Sequence, residues 1–202
     1  MDHAGEAAMR PPLRSEVLSS GDAGWPESAF EAAFIAHYPR IVTVIYRIVG
    51  NHSRAEELAS DTFLKLYEQP FSPERFHNVA GWLYRTATRL GFDSLRSLAR
   101  RKRHESDAGG LFGHGTAPAD PLEAVLHAER QRNIRKALVK LKPIEAQVLA
   151  LRASGFSYRE VAEAVGVKEQ SIGRLLARAE EAFENAYRRE ERRTCFHPPS
   201  LR

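Results

Sequence analysis

Residues 157–179 constrain the fold more than any other part of the chain, because they combine a helix start, a helix stop and a second apolar repeat. Ser157 and Glu160 form the S-x-x-E pattern of a capping box, in which each side chain accepts a hydrogen bond from the other residue's backbone amide. Gly166 follows as a residue able to adopt the positive φ common at helix C-termini. Beyond it, apolar residues recur at helical spacing: Ile172, Leu175 and Leu176. The pattern predicts two short helices joined by a tight turn.

This hairpin is typical of a helix-turn-helix, with the small Ala162 placed so that the second helix can cross close above the first. In such a motif the outer face of the second helix enters the major groove and contacts base edges. The candidate contact residues are Lys168, Glu169, Gln170, Ser171, Gly173, Arg174 and Arg178. A tight hairpin in an ordinary helical bundle is the alternative. Acidic residues offset the cations, so we expect weak DNA binding by this helix alone.

The composition is that of a soluble globular protein, with 43% apolar and 28% charged residues among 202. A formal net charge of +4 favours an anionic partner. Cys195 is the single cysteine, which excludes an intrachain disulfide and a cysteine-rich zinc site. No signal peptide pattern is present, and no stretch approaches the apolar length of a membrane span. We therefore expect a cytoplasmic protein without membrane insertion.

Apolar residues at helical spacing along most of the chain predict an all-α fold of two small helical domains. We expect a disordered tail over residues 1–24, a first helical module over 25–104 and a second over 120–189, followed by a C-terminal tail over 190–202. Residues 105–119 are rich in glycine and predict a flexible linker that reaches about 50 Å when stretched.

Within the first module, Ser53 and Glu56 form another S-x-x-E pattern and predict a helix that starts at Ser53. Gly50 ends the helix before it. The predicted inner face of the new helix consists of Ala55, Leu58, Thr62 and Leu66. A later helix, from about Val79, ends in a basic run that binds phosphates or is simply solvated: Arg96, Arg100, Arg101, Lys102 and Arg103.

Three blocks, in this order, resemble the bacterial RNA polymerase sigma factors of the extracytoplasmic-function (ECF) group. Residues 53–67 (SRAEELASDTFLKLY) are similar to the family's core-binding helix, residues 82–96 (WLYRTATRLGFDSLR) to its promoter-melting helix, and residues 141–183 to its C-terminal helix-turn-helix domain. The resemblance implies a two-domain sigma factor that binds core RNA polymerase and promoter DNA. It also implies an anti-sigma protein as a partner, and no catalysis by the chain itself.

The resemblance assigns core-polymerase binding to six residues of the first block: Glu56, Glu57, Leu58, Asp61, Phe63 and Leu66. Acids early in a helix suit its dipole, and an exposed Phe63 would supply apolar contact. The alternative is that these acids form a solvated face and Phe63 lies in the core.

The resemblance assigns binding of the single-stranded −10 element to aromatic and cationic residues, on which bases stack and phosphates bind. These residues are Phe71, Arg75, Phe76, Tyr84, Arg85, Arg89 and Arg96. Phe76 and Trp82 have a core role as the alternative. The chain departs from the family at Arg89, where asparagine is frequent, and at Gly173 and Leu175, where basic residues are usual. The family's base preferences therefore do not transfer.

Two other classes of protein are alternatives to this hypothesis. A stand-alone helix-turn-helix regulator, with an N-terminal sensing or dimerisation domain, would bind a palindrome unaided as a dimer. A helical enzyme would need a metal or nucleophile cluster, but Glu74 and His77 supply the E-x-x-H spacing only once. We expect no enzymatic activity, no cofactor and no metal site.

Overall fold

The computed structural model of the chain describes residues 24–71, 78–104 and 121–195. These residues form α-helices, as the apolar spacing predicts: α1 (Glu27–Val49), α2 (His52–Tyr67), α3 (Val79–His104), α4 (Pro121–Val139), α5 (Pro143–Ala153), α6 (Tyr158–Val165) and α7 (Glu169–Cys195). Helices α1–α3 make up the first module and α4–α7 the second. The expected linker and most of the expected tails lie outside the described residues.

The first module is built on one apolar side of each of its three helices. Helix α1 continues through Pro39 and ends at Gly50, whose φ of 71° places it in the left-handed region and confirms its predicted role as a stop. The predicted inner residues of α2 are all buried. Large buried side chains in this core include Ile41, Ile45, Ile48, Phe63, Leu66, Leu83, Phe92 and Leu95.

The start of α2 differs from the prediction. Asn51, rather than Ser53, is the N-cap, and its side-chain oxygen accepts a hydrogen bond of 2.8 Å from the Arg54 amide. The helix therefore begins at His52, and Glu56 is bound to the His52 ring at 3.3 Å instead of reaching back to a serine. An asparagine is as good a cap as a serine and was already placed after the Gly50 turn.

Helix α1 also differs from the expectation that no segment has the apolar length of a membrane span. In the part of the chain that the structure describes, it is the one helix that meets the length and composition of a span, with a mean hydropathy of 1.2. Its apolar side packs against α2 and α3, where Ile41, Val44 and Ile45 are fully buried. This packing accounts for its composition.

The second module packs α7 against α4, α5 and α6. Helix α7 runs on past Arg189, where we expected the module to end, and reaches Cys195. Glu190 explains the extension, because its buried carboxylate is ion-paired with Lys140, with Lys136 at 3.9 Å and with Arg193 at 3.8 Å. Burial alone would raise the pKa of Glu190, but the hydrogen bond from Lys140 and these positive charges outweigh it and lower the pKa.

The two modules contact each other directly, which the sequence did not indicate. Helix α3 packs against α4, α5 and α6, and α1 also contacts α5. A hydrogen bond of 2.9 Å joins Arg40 of α1 to Glu160 of α6 across this boundary. The second module is therefore seated on the first.

Candidate nucleic-acid interface

The first helix of the hairpin, α6, starts at the predicted capping box. The Ser157 amide donates to the Glu160 carboxylate at 2.7 Å, and the Glu160 amide donates to the Ser157 hydroxyl at 3.3 Å. The hydrogen bond from the Ser157 amide is the main cause of the lowered pKa of Glu160, and the nearby Arg40 contributes to it. This box fixes where the hairpin begins.

The turn between α6 and α7 depends on Gly166. Its φ of 76° confirms the predicted left-handed conformation. The Gly166 amide donates to the Ala162 carbonyl at 2.8 Å, and the Val167 amide donates to the same oxygen at 3.1 Å. Ala162 is buried beneath the turn, so its small side chain lets α7 cross closely, as predicted.

The outer face of α7 brings the predicted duplex-contacting residues together. The exposed members are Lys168, Glu169, Gln170, Gly173, Arg174 and Arg178, while Ser171 is half-buried. A methyl group added to Gly173 would meet nothing within 4 Å among the described residues. Leu175 is buried with Ile172 and Leu176 on the opposite side, which explains why this position has no basic residue.

The residues predicted to bind the opened strand differ in how exposed they are in the structure. Arg89 is 79% exposed and pairs with Asp93 at 4.0 Å, and Arg96 pairs with the same carboxylate at 3.5 Å. Phe71 is half-buried against Trp25, with their ring centroids 5.1 Å apart. Arg75 and Phe76 lie outside the described residues. Trp82, for which a core role was the alternative, is half-buried against the core.

Tyr84 is not available as a stacking surface in this structure, contrary to the prediction. It is 4% exposed, and its ring packs edge-on against Phe156 of the second module at 4.5 Å. Its hydroxyl lies 3.2 Å from Nδ1 of His37. Burial raises the pKa of the Tyr84 phenol and lowers that of the His37 ring, which the Arg40 charge lowers further.

Arg85 is likewise engaged by the second module. Its Nε donates to the Ala164 carbonyl at 2.6 Å, and its Nη2 donates to the Glu163 carbonyl at 3.3 Å. These carbonyls belong to the last turn of α6, where a cation stabilises the negative end of the helix dipole. A base or phosphate would have to displace α6 to reach these two donor atoms, although the residue as a whole is exposed.

The face of α2 predicted for polymerase contact needs a correction. Glu56, Glu57 and Asp61 are exposed, but the apolar residues predicted with them are core residues: Leu58, Phe63 and Leu66. Phe63 is covered by aromatic rings of α1, and its centroid lies 4.9 Å from that of Phe34. It therefore cannot provide the expected apolar contact.

Sequence reasoning missed the apolar side chains that α2 does expose. Leu64 is 56% and Tyr67 59% exposed. A helical repeat counted from Glu57 through Asp61 would have found Leu64, because residues at i, i+4 and i+7 share one face. The resemblance to the family assigned Phe63 to this face instead.

Two family models match the chain, one on each module. Sigma-70 region 2 matches residues 33–101, and Sigma-70 region 4 matches residues 131–183. The first range spans most of α1 to α3, and the second ends within α7.

Two known sigma factors are similar to the chain over about two thirds to three quarters of its length. It is 32% identical over 137 residues to the ECF RNA polymerase sigma factor SigE of Mycolicibacterium smegmatis, covering 65% of this chain and 51% of that protein. It is 29% identical over 155 residues to SigJ of Mycobacterium tuberculosis, covering 74% and 48%. The chain thus spans about half the length of these two relatives.

A shorter relative and a solved structure complete the comparison. SigW of Bacillus subtilis is 25% identical over 182 residues, which cover 87% of this chain and 95% of SigW. The sigma factor RpoE of Bartonella quintana, solved in complex with the anti-sigma factor NepR, matches at 22% identity and a TM-score of 0.46, covering 80% of this chain and 98% of that one. With both sigma-70 regions present in order, the chain belongs to the ECF-type RNA polymerase sigma factors, a family of transcription initiation factors rather than enzymes, whose members bind core RNA polymerase and DNA.

Proposed function

We propose that this chain binds core RNA polymerase and directs transcription initiation, with its first module holding the opened −10 strand and its second module binding the −35 duplex. The observation that carries the proposal is the outer face of α7. Most of the described second module matches Sigma-70 region 4. Within this match, the polar residues of α7 are exposed on one side of the helix and its apolar residues are buried on the other. This is the arrangement that fits a helix into the major groove.

Base contact at the −35 element is assigned to Gln170 and Arg174, and phosphate contact to Lys168 and Arg178. Arginine and glutamine side chains bind guanine and adenine edges through paired hydrogen bonds. Glu169, Ser171 and Gly173 complete the surface, and the open space above Gly173 lets the DNA backbone approach closely. Because the helix is nearly neutral, most of the affinity must come from the polymerase presenting both modules together.

Polymerase contact is assigned to the exposed face of α2, formed by Glu57, Asp61, Leu64 and Tyr67. The two acids suit a basic partner surface, and the two exposed apolar side chains supply area that is buried on docking. Leu58, Phe63 and Leu66 support this face from beneath as core residues.

Contact with the −10 strand is assigned to the exposed side of α3 and the segment before it. Arg89 and Arg96 lie along this helix with Arg100 and Arg101 following, and cations on one helix can track a strand backbone. Phe71, Arg75 and Phe76 are proposed as the stacking and backbone groups of the preceding segment. Arg85 is added as an exposed cation that also donates to α6, and Tyr84 is left out because it is buried.

In vitro transcription with core polymerase on a library of promoter fragments tests the proposal directly. We expect RNA chains to start at a subset of fragments that share two sequence elements, and only when the chain is added. Absence of initiation on every fragment would contradict the proposal. Tight binding of the pure protein to a palindrome in a gel shift, unaffected by core polymerase, would instead favour a stand-alone regulator.

An anti-sigma protein as inhibitory partner and a cytoplasmic location are also proposed, and both rest on family membership. Purification of the chain from its own cells should recover a protein whose removal raises transcription by the chain with core polymerase. Equal activity before and after removal would argue against such an inhibitor. Cell fractionation tests the location.

A further inference from the structure

Helix α3 is strongly basic, and Asp93 is its one acidic residue. Seven of its 26 residues are lysine or arginine, and five of these seven follow Asp93. A helix that binds a strand of phosphates gains affinity from each cation, and a carboxylate among the cations opposes that gain. Asp93 therefore lowers the affinity of this surface for DNA of any sequence.

The Asp93 carboxylate is shared by two arginines, one on each side of it along the helix. Its Oδ2 lies 4.0 Å from Nε of Arg89, about one turn earlier, and its Oδ1 lies 3.5 Å from Nη1 of Arg96, about one turn later. The Asp93 side chain is 58% exposed, so a bound strand can reach it. Ion pairs this exposed are weak, and a phosphate can displace the carboxylate from either arginine.

The two arginines are held to different degrees. The side chain of Arg96 is 25% exposed, and its guanidinium also lies over the buried Phe92 ring, 6.0 Å from the centroid. The side chain of Arg89 is 79% exposed, and among the described residues Asp93 is its one ion-pair partner. Through Asp93, the orientation of the exposed arginine is tied to that of the better-held one.

Orientation decides one kind of DNA contact, whereas charge decides the other. An arginine binds a base edge through a planar fork of donors, so this contact depends on the direction in which the guanidinium points. A phosphate is attracted by charge alone, and its contacts carry no sequence information. A carboxylate between two arginines thus repels phosphates and at the same time orients the arginines for bases.

We propose that Asp93 is a specificity-determining residue for the −10 strand, which weakens binding to arbitrary single strands and orients Arg89 and Arg96 for contact with bases. The inference rests on the proposed function. Selectivity is a difference between two affinities, and repulsion of the wrong strand raises it as much as attraction of the right one. Asp93 is therefore a positioning residue that acts through its two arginines.

Removal of the Asp93 charge at nearly constant shape tests the proposal. The probes are two labelled single strands, one with the −10 sequence obtained from the promoter library and one with the same bases in scrambled order. Each is titrated with holoenzyme assembled from core polymerase and the full-length chain. At about 0.1 M salt, Asp93→Asn should bind the scrambled strand about fivefold more tightly, the gain expected from one more phosphate contact. The −10 strand should gain less, because the arginines lose their orientation, so the ratio of the two affinities should fall.

The salt dependence of binding gives a readout that a merely structural role would not move. If the Asp93 charge offsets one cation, the slope of log K against log salt should steepen by about 0.7 in Asp93→Asn. Asp93→Glu keeps the charge and should keep the shallower slope. The matched control is Glu31→Gln, the same charge change at an exposed position of α1, and it should change neither the slope nor the ratio.

The fold should survive these changes, because Asp93 is exposed. A Tm of Asp93→Asn within about 2 °C of the unaltered chain checks this, and Asp93→Ser, a second variant without the charge, should reproduce both changes in binding. An unchanged ratio of affinities and an unchanged slope in these two variants would overturn the proposal. Equal effects of Asp93→Asn and Glu31→Gln would overturn it as well.

Transcription separates this inference from the proposed function. Holoenzyme that contains Asp93→Asn should start RNA chains at promoters with single-base changes in the −10 element that holyenzyme with the unaltered chain rejects. Equal rejection by both would count against the role of Asp93. Failure of the unaltered chain to start RNA chains at any promoter would contradict the proposed function instead.

Discussion

Phe63 and Leu64 are neighbours in α2 with opposite burial, and together they test which side of this helix meets the polymerase. Phe63 is 2% exposed, with its ring centroid 4.9 Å from Phe34, 5.9 Å from Tyr38 and 6.1 Å from Phe30. Removing a buried phenylalanine costs about 3–5 kcal/mol of stability through lost burial and the cavity left behind.

For a chain of this size that loss corresponds to a fall in Tm of about 6–20 °C in Phe63→Ala. Leu64 is already more than half exposed, so Leu64→Ala should change the free energy of unfolding by less than about 0.5 kcal/mol. Thermal unfolding followed by circular dichroism separates the two variants. A Tm for Phe63→Ala within about 2 °C of the unaltered chain would refute its placement in the core.

Binding to core polymerase should depend on the exposed apolar residues of α2 rather than on Phe63. The double variant Leu64→Ala/Tyr67→Ala should lose at most about 1.5 kcal/mol of stability, through the edge-on contact of Tyr67 with Phe30. It should lose at least about tenfold in affinity for core polymerase, because exposed apolar groups at the centre of an interface carry much of its binding energy. A titration with labelled chain measures this. Affinity equal to that of the unaltered chain would show that the polymerase docks elsewhere.

Three further changes test other parts of the structure. Arg174→Ala should weaken transcription from promoters that depend on the −35 element by about 1–3 kcal/mol, and equal activity on all −35 variants would remove Arg174 from the interface. Gly166→Ala should lower the free energy of unfolding by more than about 1 kcal/mol, because the φ of 76° and the nearby Arg85 both oppose a side chain. Gly173→Ala, in open space on α7, should instead stabilise the chain by up to about 1 kcal/mol. Chemical denaturation compares the two variants, and equal effects on stability would refute the reasoning. Burial lowers the pKa of His37 below its ordinary value of 6.5, so below that pH the unfolded chain binds more protons than the folded one. This contribution to stability is fully present above pH 6.5 and falls as the pH drops towards the folded-state pKa. His37→Gln should flatten this part of the stability profile, and an unchanged profile would exclude His37 as its source.

Local rules predicted the hairpin because each of its features is decided within a few residues. The box at Ser157 and Glu160 and the stops at Gly50 and Gly166 depend on hydrogen bonds between near neighbours and on glycine's access to positive φ. The same rule failed at Ser53 because Asn51, two residues earlier, is an equally good cap. Residue preferences alone cannot choose between two caps of similar strength that lie two positions apart. Here the turn at Gly50 places Asn51 at the N-cap position.

The burial of Phe63 was within reach of the helical repeat, whereas the contact between the modules was not. Phe63 follows the buried Ala59 by four residues and lies on the same side of α2, although the sequence does not show that rings of α1 cover it. Arg40 and Glu160 are 120 positions apart, and nothing near either residue indicates the other. Patterns along a chain show which faces are apolar, whereas the choice of partner for each face depends on contacts distant in sequence.

Helix α7 has a mechanical consequence that follows from its length and from Glu190. Its 27 residues make a rod of about 40 Å, with the proposed duplex-contacting surface near one end and the buried Glu190 near the other. Because Glu190 is ion-paired with Lys136 and Lys140, the far end of this rod is held against α4. The direction in which the proposed surface points is therefore set in part by charges close to the opposite end of the helix.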